Sequence, residues 1–155
     1  MTDESTAGAS VWERELYAHL TNHIEAERDL LEQYSAIAET TQSEAFRYLV
    51  GLLIEDEIRH HRIFAEMAKS LEATALFTGD PAIPYLDFHR VDGESIRAAT
   101  KDLLESERDD ARECKRLHRE LRDLKDTTLW DLLIDLMERD TAKHIAILRF
   151  VEDHT

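Results

Sequence analysis

Hydrophobic residues recur every three or four positions in four separate stretches of the chain, and this spacing predicts four helices. The stretches are residues 11–38, 43–72, 94–124 and 128–152. Two prolines and a Gly-Asp pair predict a loop over residues 77–93, whereas the link at 123–127 is short. At ~3.3 Å per residue the longer loop could span about 55 Å, enough to run the length of a bundle. We therefore expect an all-α, four-helix bundle made of two helical hairpins joined by a long crossover loop.

Polar side chains interrupt the apolar stripe of the second predicted helix. The stripe passes through Leu49 and Leu53, continues through Glu57 and His60, and resumes at Phe64. A buried carboxylate beside a buried imidazole is costly unless something pairs with both. Because a helix turns once per 3.6 residues, Glu57 and His60 reach the same point from adjacent turns. A metal ion is the simplest partner, and Glu-x-x-His is the spacing with which helical bundles bind one.

Similar polar residues lie on the predicted stripes of the other helices. They are Glu27 on the first helix, Glu107 on the third, next to Leu103 in its stripe, and His144 on the fourth, after Met137 and Thr141. Carboxylates can bridge and neutralise two cations, while each imidazole binds one of them terminally. We expect these residues, with Glu57 and His60, to form one metal centre.

The two halves of the chain repeat each other around these residues. Residues 24–29 match 104–109 at a spacing of 80, and residues 56–60 match 140–144 at a spacing of 84. A duplicated hairpin would bring the corresponding polar residues together about a pseudo-two-fold axis. The repeat also places Thr141 where Glu57 stands in the first half, so the second half lacks one carboxylate.

The charge of the chain narrows its expected partners and location. The 34 acidic and 19 basic residues give a net charge of −15, which disfavours nucleic acid and anionic membrane surfaces as partners. The lone Cys114 excludes an internal disulfide and fits a reducing cytoplasm. No apolar run approaches the ~18 residues of a membrane span, and the start has no signal-peptide pattern. We expect a cytoplasmic protein with a disordered tail at 1–10 and the bundle at 11–152.

At these residues the chain resembles the ferritin-like superfamily, which includes ferritins, rubrerythrins and carboxylate-bridged di-iron oxidases. Residues 56–60, Asp-Glu-Ile-Arg-His, are similar to the Asp-Glu-x-Arg-His motif of the di-iron oxidases. Tyr34 follows Glu27 by seven residues, as a tyrosine often does after the first-helix ligand of that superfamily. The resemblance covers residues 11–152 and implies a ferritin-like bundle around a di-iron carboxylate site.

The resemblance also implies roles for residues around the metals. Asp56 would orient His144, and Asp140 would orient His60 from the opposite half. Tyr34 would pack with its hydroxyl near the site.

The fourth helix departs from the family pattern. A second Glu-x-x-His would place a carboxylate at Thr141. Asp110, one turn beyond Glu107, lies where rubrerythrins carry an extra glutamate ligand. It is a candidate to replace the carboxylate ligand that is missing at Thr141. His23, one turn before Glu27, is expected to support the site or line its entrance.

The resulting expectation is a metal-binding protein that oxidises ferrous iron or reduces peroxide or dioxygen. The site would hold two irons, a manganese–iron pair or a single metal. Two alternatives stay open: a metal-free or degenerate bundle acting as a dimeric scaffold or interaction protein, and a protein that carries metal without turnover. A homodimer is the expected assembly.

Overall fold

The computed structural model of the chain describes residues 10–76, 80–88, 90–121 and 129–155. The expected tail at 1–10 is therefore described only at its last residue, and the link at 123–127 lies outside these segments. Four helices are present: α1 (Val11–Thr40), α2 (Glu44–Leu76), α3 (Gly93–Leu121) and α4 (Trp130–Asp153). No strand occurs in the described segments, and none of their helices has an apolar stretch long enough to cross a membrane. The prediction of an all-α chain with four helices is confirmed.

The chain divides into two compact units, Met1–Tyr85 and Leu86–Thr155. In the first, α1 packs against α2, and we call this pair hairpin 1; in the second, α3 packs against α4, which we call hairpin 2. Residues 80–88 contain neither helix nor strand. Part of this segment lies on hairpin 1, where the backbone N–H of Ile83 donates to the Ser70 hydroxyl over 2.8 Å.

Local signals set the start of α1 and the turn into α2. Ser10 and Glu13 form a capping box, in which each side chain accepts a hydrogen bond from the other residue's backbone N–H. At the other end, the Arg47 guanidinium donates to the carbonyls of Ala38 and Thr41 at 3.0 and 2.6 Å. These carbonyls lie at the end of α1, where no further helical N–H reaches them, so Arg47 stabilises the tight turn.

Backbone geometry also explains where α3 begins. Asp92 has a positive φ of 54°, and its carbonyl accepts the first helical hydrogen bond, from the N–H of Ile96. A Cβ atom on Gly93 would lie 2.9 Å from the Phe88 carbonyl oxygen, closer than side chains tolerate. The chain can therefore approach itself here only because residue 93 is glycine.

The buried faces of three helices differ from the predicted stripes. Three residues expected inside are exposed, namely Leu53, Leu103 and Met137. The apolar side chains that are buried or partly buried nearby are Val50, Ile54, Leu104 and Ile134. Leu53 and Leu103 are each followed by a less exposed apolar residue, Ile54 and Leu104, and one residue along a helix rotates the side chain by about 100°. The prediction that Leu53, Leu103 and Met137 face the core was wrong, at Leu53 and Leu103 for this reason.

Candidate metal centre

Hairpin 1 brings together three of the predicted ligands. One ligand atom each from Glu27 on α1 and from Glu57 and His60 on α2 lie within 4.8 Å of one another. The closest pair on α2 is His60 Nδ1 and Glu57 Oε2, which are 3.5 Å apart. Two ligands on one cation with bonds of about 2.1 Å lie at most ~4.2 Å apart. Small side-chain rotations would therefore fit these three groups to one metal ion.

Glu27 is the most unusual member of this cluster because it is a buried carboxylate. Its residue is only 6% exposed. Oε1 lies 3.2 Å from Nε2 of His23, whereas Oε2 is buried and has no hydrogen-bond partner among the described residues. A buried carboxylate oxygen without a partner costs free energy, and a bound cation would remove that cost. The donor atoms of Glu27, Glu57 and His60 therefore suit a bound metal ion in both spacing and charge.

His23 contacts Oε1 of Glu27, and its own ring packs against an aromatic ring. Its ring lies 4.1 Å, centre to centre, from the ring of Phe64 at an angle of 58°. This packing limits how the imidazole can turn, and so it limits the rotamers of Glu27. The expectation that His23 supports the site stays a prediction.

Hairpin 2 contains the matching pair from the second half of the repeat. Oε1 of Glu107 on α3 lies 3.2 Å from Nδ1 of His144 on α4. Thr141, the counterpart of Glu57, is buried at 7% exposure. Asp110 is exposed, and it forms no hydrogen bond or ion pair with the described parts of the chain. Hairpin 2 therefore offers one carboxylate and one imidazole where hairpin 1 offers two carboxylates and one imidazole.

The expected supporting residues have partners on their own helices. Asp56 forms an ion pair with Arg59 at 2.8 Å, and Asp140 forms one with Lys143. Tyr34 is partly buried. The orientation of His144 by Asp56, and of His60 by Asp140, stays a prediction.

Cys114 is buried, with 7% exposure. Burial raises the pKa of its thiol, and the nearby carboxylates of Glu138, Asp110 and Glu113 raise it further. The side chain is therefore a neutral thiol at neutral pH and not a reactive thiolate.

Two histidines outside the predicted ligand set have surroundings that the sequence pattern did not indicate. His118 lies among three carboxylates of α4, and Nδ1 of His61 is buried without a hydrogen-bond partner in the described segments. The spacing of Asp131, Asp135 and Glu138 could have indicated one acidic helix face. That face meets His118 only through the register of α3 against α4, which the sequence does not give.

Comparison of this chain with protein-family models, with curated proteins and with solved structures gives no match. The expected resemblance to ferritin-like proteins therefore stays a prediction from the ligand residues and motifs.

Proposed function

We propose that this chain is a ferritin-like metal-binding protein that oxidises ferrous iron or reduces peroxide or dioxygen. Its proposed ligands are Glu27, Glu57, His60, Glu107 and His144. The observation that carries the proposal is the carboxylate of Glu27, which clusters with Glu57 and His60 and whose buried Oε2 has no hydrogen-bond partner among the described residues. The carboxylates of Glu27 and Glu57 together carry a charge of −2, which a single divalent cation would neutralise.

The kind of donor atom supports a borderline transition metal. Carboxylate oxygens together with an imidazole nitrogen suit Fe²⁺, Mn²⁺ and Zn²⁺, whereas Ca²⁺ and Mg²⁺ prefer oxygen alone. Bound iron would supply exchange between its ferrous and ferric states. The carboxylates of Glu27 and Glu57 would favour the more highly charged state, because their negative charge is held close to the ion. The His60 ring is 46% exposed, so a small oxidant could approach the cluster from its side.

A second candidate is metal carriage without turnover. It is favoured by the buried Thr141, which stands where the repeat would place a second bridging carboxylate. With that ligand absent, one metal per chain would be retained and a pair of metals would not. The number of metals per chain separates the two candidates.

The test is anaerobic loading of the full chain with ferrous iron, followed by exposure to air. For the oxidase, we expect Glu57→Gln/His144→Ala to lose about two irons per chain and the natural sequence to oxidise iron rapidly; for the carrier, the same variant should lose one iron and the natural sequence should show no rapid oxidation. Glu57→Gln should abolish binding at hairpin 1. Glu55→Gln is the matched control, because Glu55 lies on the same helix and is exposed.

Two results would contradict the proposal. One is that iron binding and oxidation are the same in Glu57→Gln, His144→Ala and the Glu55→Gln control. The other is that the chain binds no metal, which would favour the metal-free scaffold. Far-UV circular dichroism of each variant verifies that the helices are intact.

A further inference from the structure

A second group of metal-binding side chains lies in hairpin 2, away from Glu107 and His144. His118 on α3 faces three carboxylates of α4, which are spaced one helical turn apart. Nδ1 of His118 is 3.2 Å from Asp131, and Nε2 is 3.1 Å from Asp135 and 3.6 Å from Glu138. His118 is eleven residues beyond Glu107, about 16 Å along the helix at 1.5 Å per residue. The two groups are therefore separate.

The charges in this group do not balance. Three carboxylates contribute −3, and one imidazole contributes at most +1. Within the described residues, no lysine or arginine forms an ion pair with Asp131, Asp135 or Glu138. Since like charges held close together repel, the arrangement leaves an excess of negative charge that a divalent cation would offset.

A buried cysteine lies one helical turn from His118. Cys114 precedes His118 by four residues on α3, is more than nine-tenths buried and forms no disulfide. Burial raises the pKa of its thiol, and among the charged groups the Glu138 carboxylate raises it most. Hairpin 2 therefore has a buried soft donor on the same helix as His118.

We propose that His118, Asp135 and Glu138 form a second cation site, for a borderline divalent ion such as Zn²⁺ or Fe²⁺. Their ligand atoms already lie within 4.8 Å of one another, as those of hairpin 1 do. Asp131, which is more exposed, lies 3.2 Å from Nδ1 of His118 and could add a further carboxylate. The site depends only on residues of α3 and α4, so it is independent of the function proposed above.

The test is calorimetric titration of the full chain with Zn²⁺. The variant His118→Gln/Asp135→Asn should bind one Zn²⁺ fewer per chain than the natural sequence, or bind it at least about tenfold more weakly. Loss of a supporting residue alone costs metal sites roughly 10- to 100-fold in affinity, and loss of a ligand should cost no less. The matched control is His19→Gln/Glu105→Gln, which makes the same change of charge at two exposed positions.

The inference is overturned if His118→Gln/Asp135→Asn binds Zn²⁺ with the stoichiometry and affinity of the control. Asp135 is 54% exposed, so Asp135→Asn should leave the packing intact. If the double variant does not fold, the Zn²⁺ affinity of this single variant is compared with that of the natural sequence instead. Glu57→Gln should leave this site occupied. If His118→Gln/Asp135→Asn lowers Zn²⁺ binding and Glu57→Gln does not, the second cation site is supported and the function proposed for Glu57 is contradicted.

Discussion

Glu27 has two carboxylate oxygens with different surroundings. One contacts His23 over 3.2 Å, and the other is buried without a hydrogen-bond partner in the described part of the chain. In the metal-free protein this costs stability, and a bound cation would convert the cost into binding energy. Residues that weaken the fold for the sake of a ligand are typical of functional sites. Replacing the Glu27 carboxylate should therefore raise the stability of the metal-free protein and lower its affinity for metal.

Glu27→Gln tests this opposition. The amide keeps the shape of the side chain and removes its charge, so we expect the metal-free protein to gain about 1 kcal/mol of unfolding free energy. The rise in unfolding temperature that Zn²⁺ causes should become smaller. Thermal unfolding with and without Zn²⁺ measures both effects, with Glu25→Gln as the exposed control on the same helix. A loss of stability without metal would indicate that the Glu27 carboxylate is already compensated.

His23 should affect metal affinity through Glu27. In His23→Ala, Glu27 loses its contact, and we expect the affinity of hairpin 1 for Zn²⁺ to fall by roughly 10- to 100-fold. His23→Gln should recover much of the affinity, since its amide nitrogen can reach Glu27. Calorimetry measures the affinities, and His19→Ala is an exposed control on α1. Equal affinities in His23→Ala and the natural sequence would remove His23 from the site.

At the scale of the helices, the sequence pattern predicted well that there are four elements and that each is a helix. α1 was expected over 11–38 and covers Val11–Thr40, and α3 was expected from 94 and begins at Gly93. These bounds were predictable because caps, glycine and proline act locally. The inner faces were less predictable, since Leu103 and Leu104 are adjacent and periodicity alone does not say which of them packs inside.

The candidate site was predictable to the extent that its residues share one helix or one repeat. Glu57 and His60 are three residues apart, so helix geometry alone brings them together. The approach of Glu27 to them, and of His118 to its carboxylates, depends on the register between two helices. Register is set by packing of the whole hairpin, which the sequence pattern does not specify.

The packing of α3 against α4 should be visible in the chemistry of Cys114. Burial raises its pKa above the ordinary 9.0, so a thiol reagent should react slowly with the folded protein and quickly in denaturant. Because the folded pKa is raised, this group's contribution to stability is complete below about pH 9 and is lost as the pH rises through the folded pKa. Chemical unfolding between pH 7 and roughly pH 10 measures this loss, and Cys114→Ala should lack it. Equal reaction rates in the folded and unfolded protein would contradict the burial.

At the scale of the whole molecule, the net charge of −15 dominates the electrostatics. Self-repulsion of this kind destabilises a compact state, and salt screens it. The Debye length falls from ~30 Å at 0.01 M to below ~8 Å above 0.15 M ionic strength. The same charge raises the local concentration of cations, which would assist metal uptake at both proposed sites.

The expected consequence is that the unfolding temperature rises as sodium chloride increases from roughly 0.01 to 0.5 M. Calorimetry of the metal-free protein measures it, and Glu15→Gln/Glu25→Gln, which removes two exposed charges, should show a smaller rise. A fall with added salt would mean that attractive ion pairs outweigh the repulsion.

The unpaired oxygen of Glu27 also determines where this chain should open first when metal is scarce. Both oxygens of Glu107 lie near the His144 imidazole in hairpin 2, whereas only one oxygen of Glu27 in hairpin 1 has a hydrogen-bond partner among the described residues. Without metal, the backbone amides around Glu27 should exchange with solvent sooner than those around Glu107, and proteases should cut there first. Metal supply would thus control the lifetime of the protein.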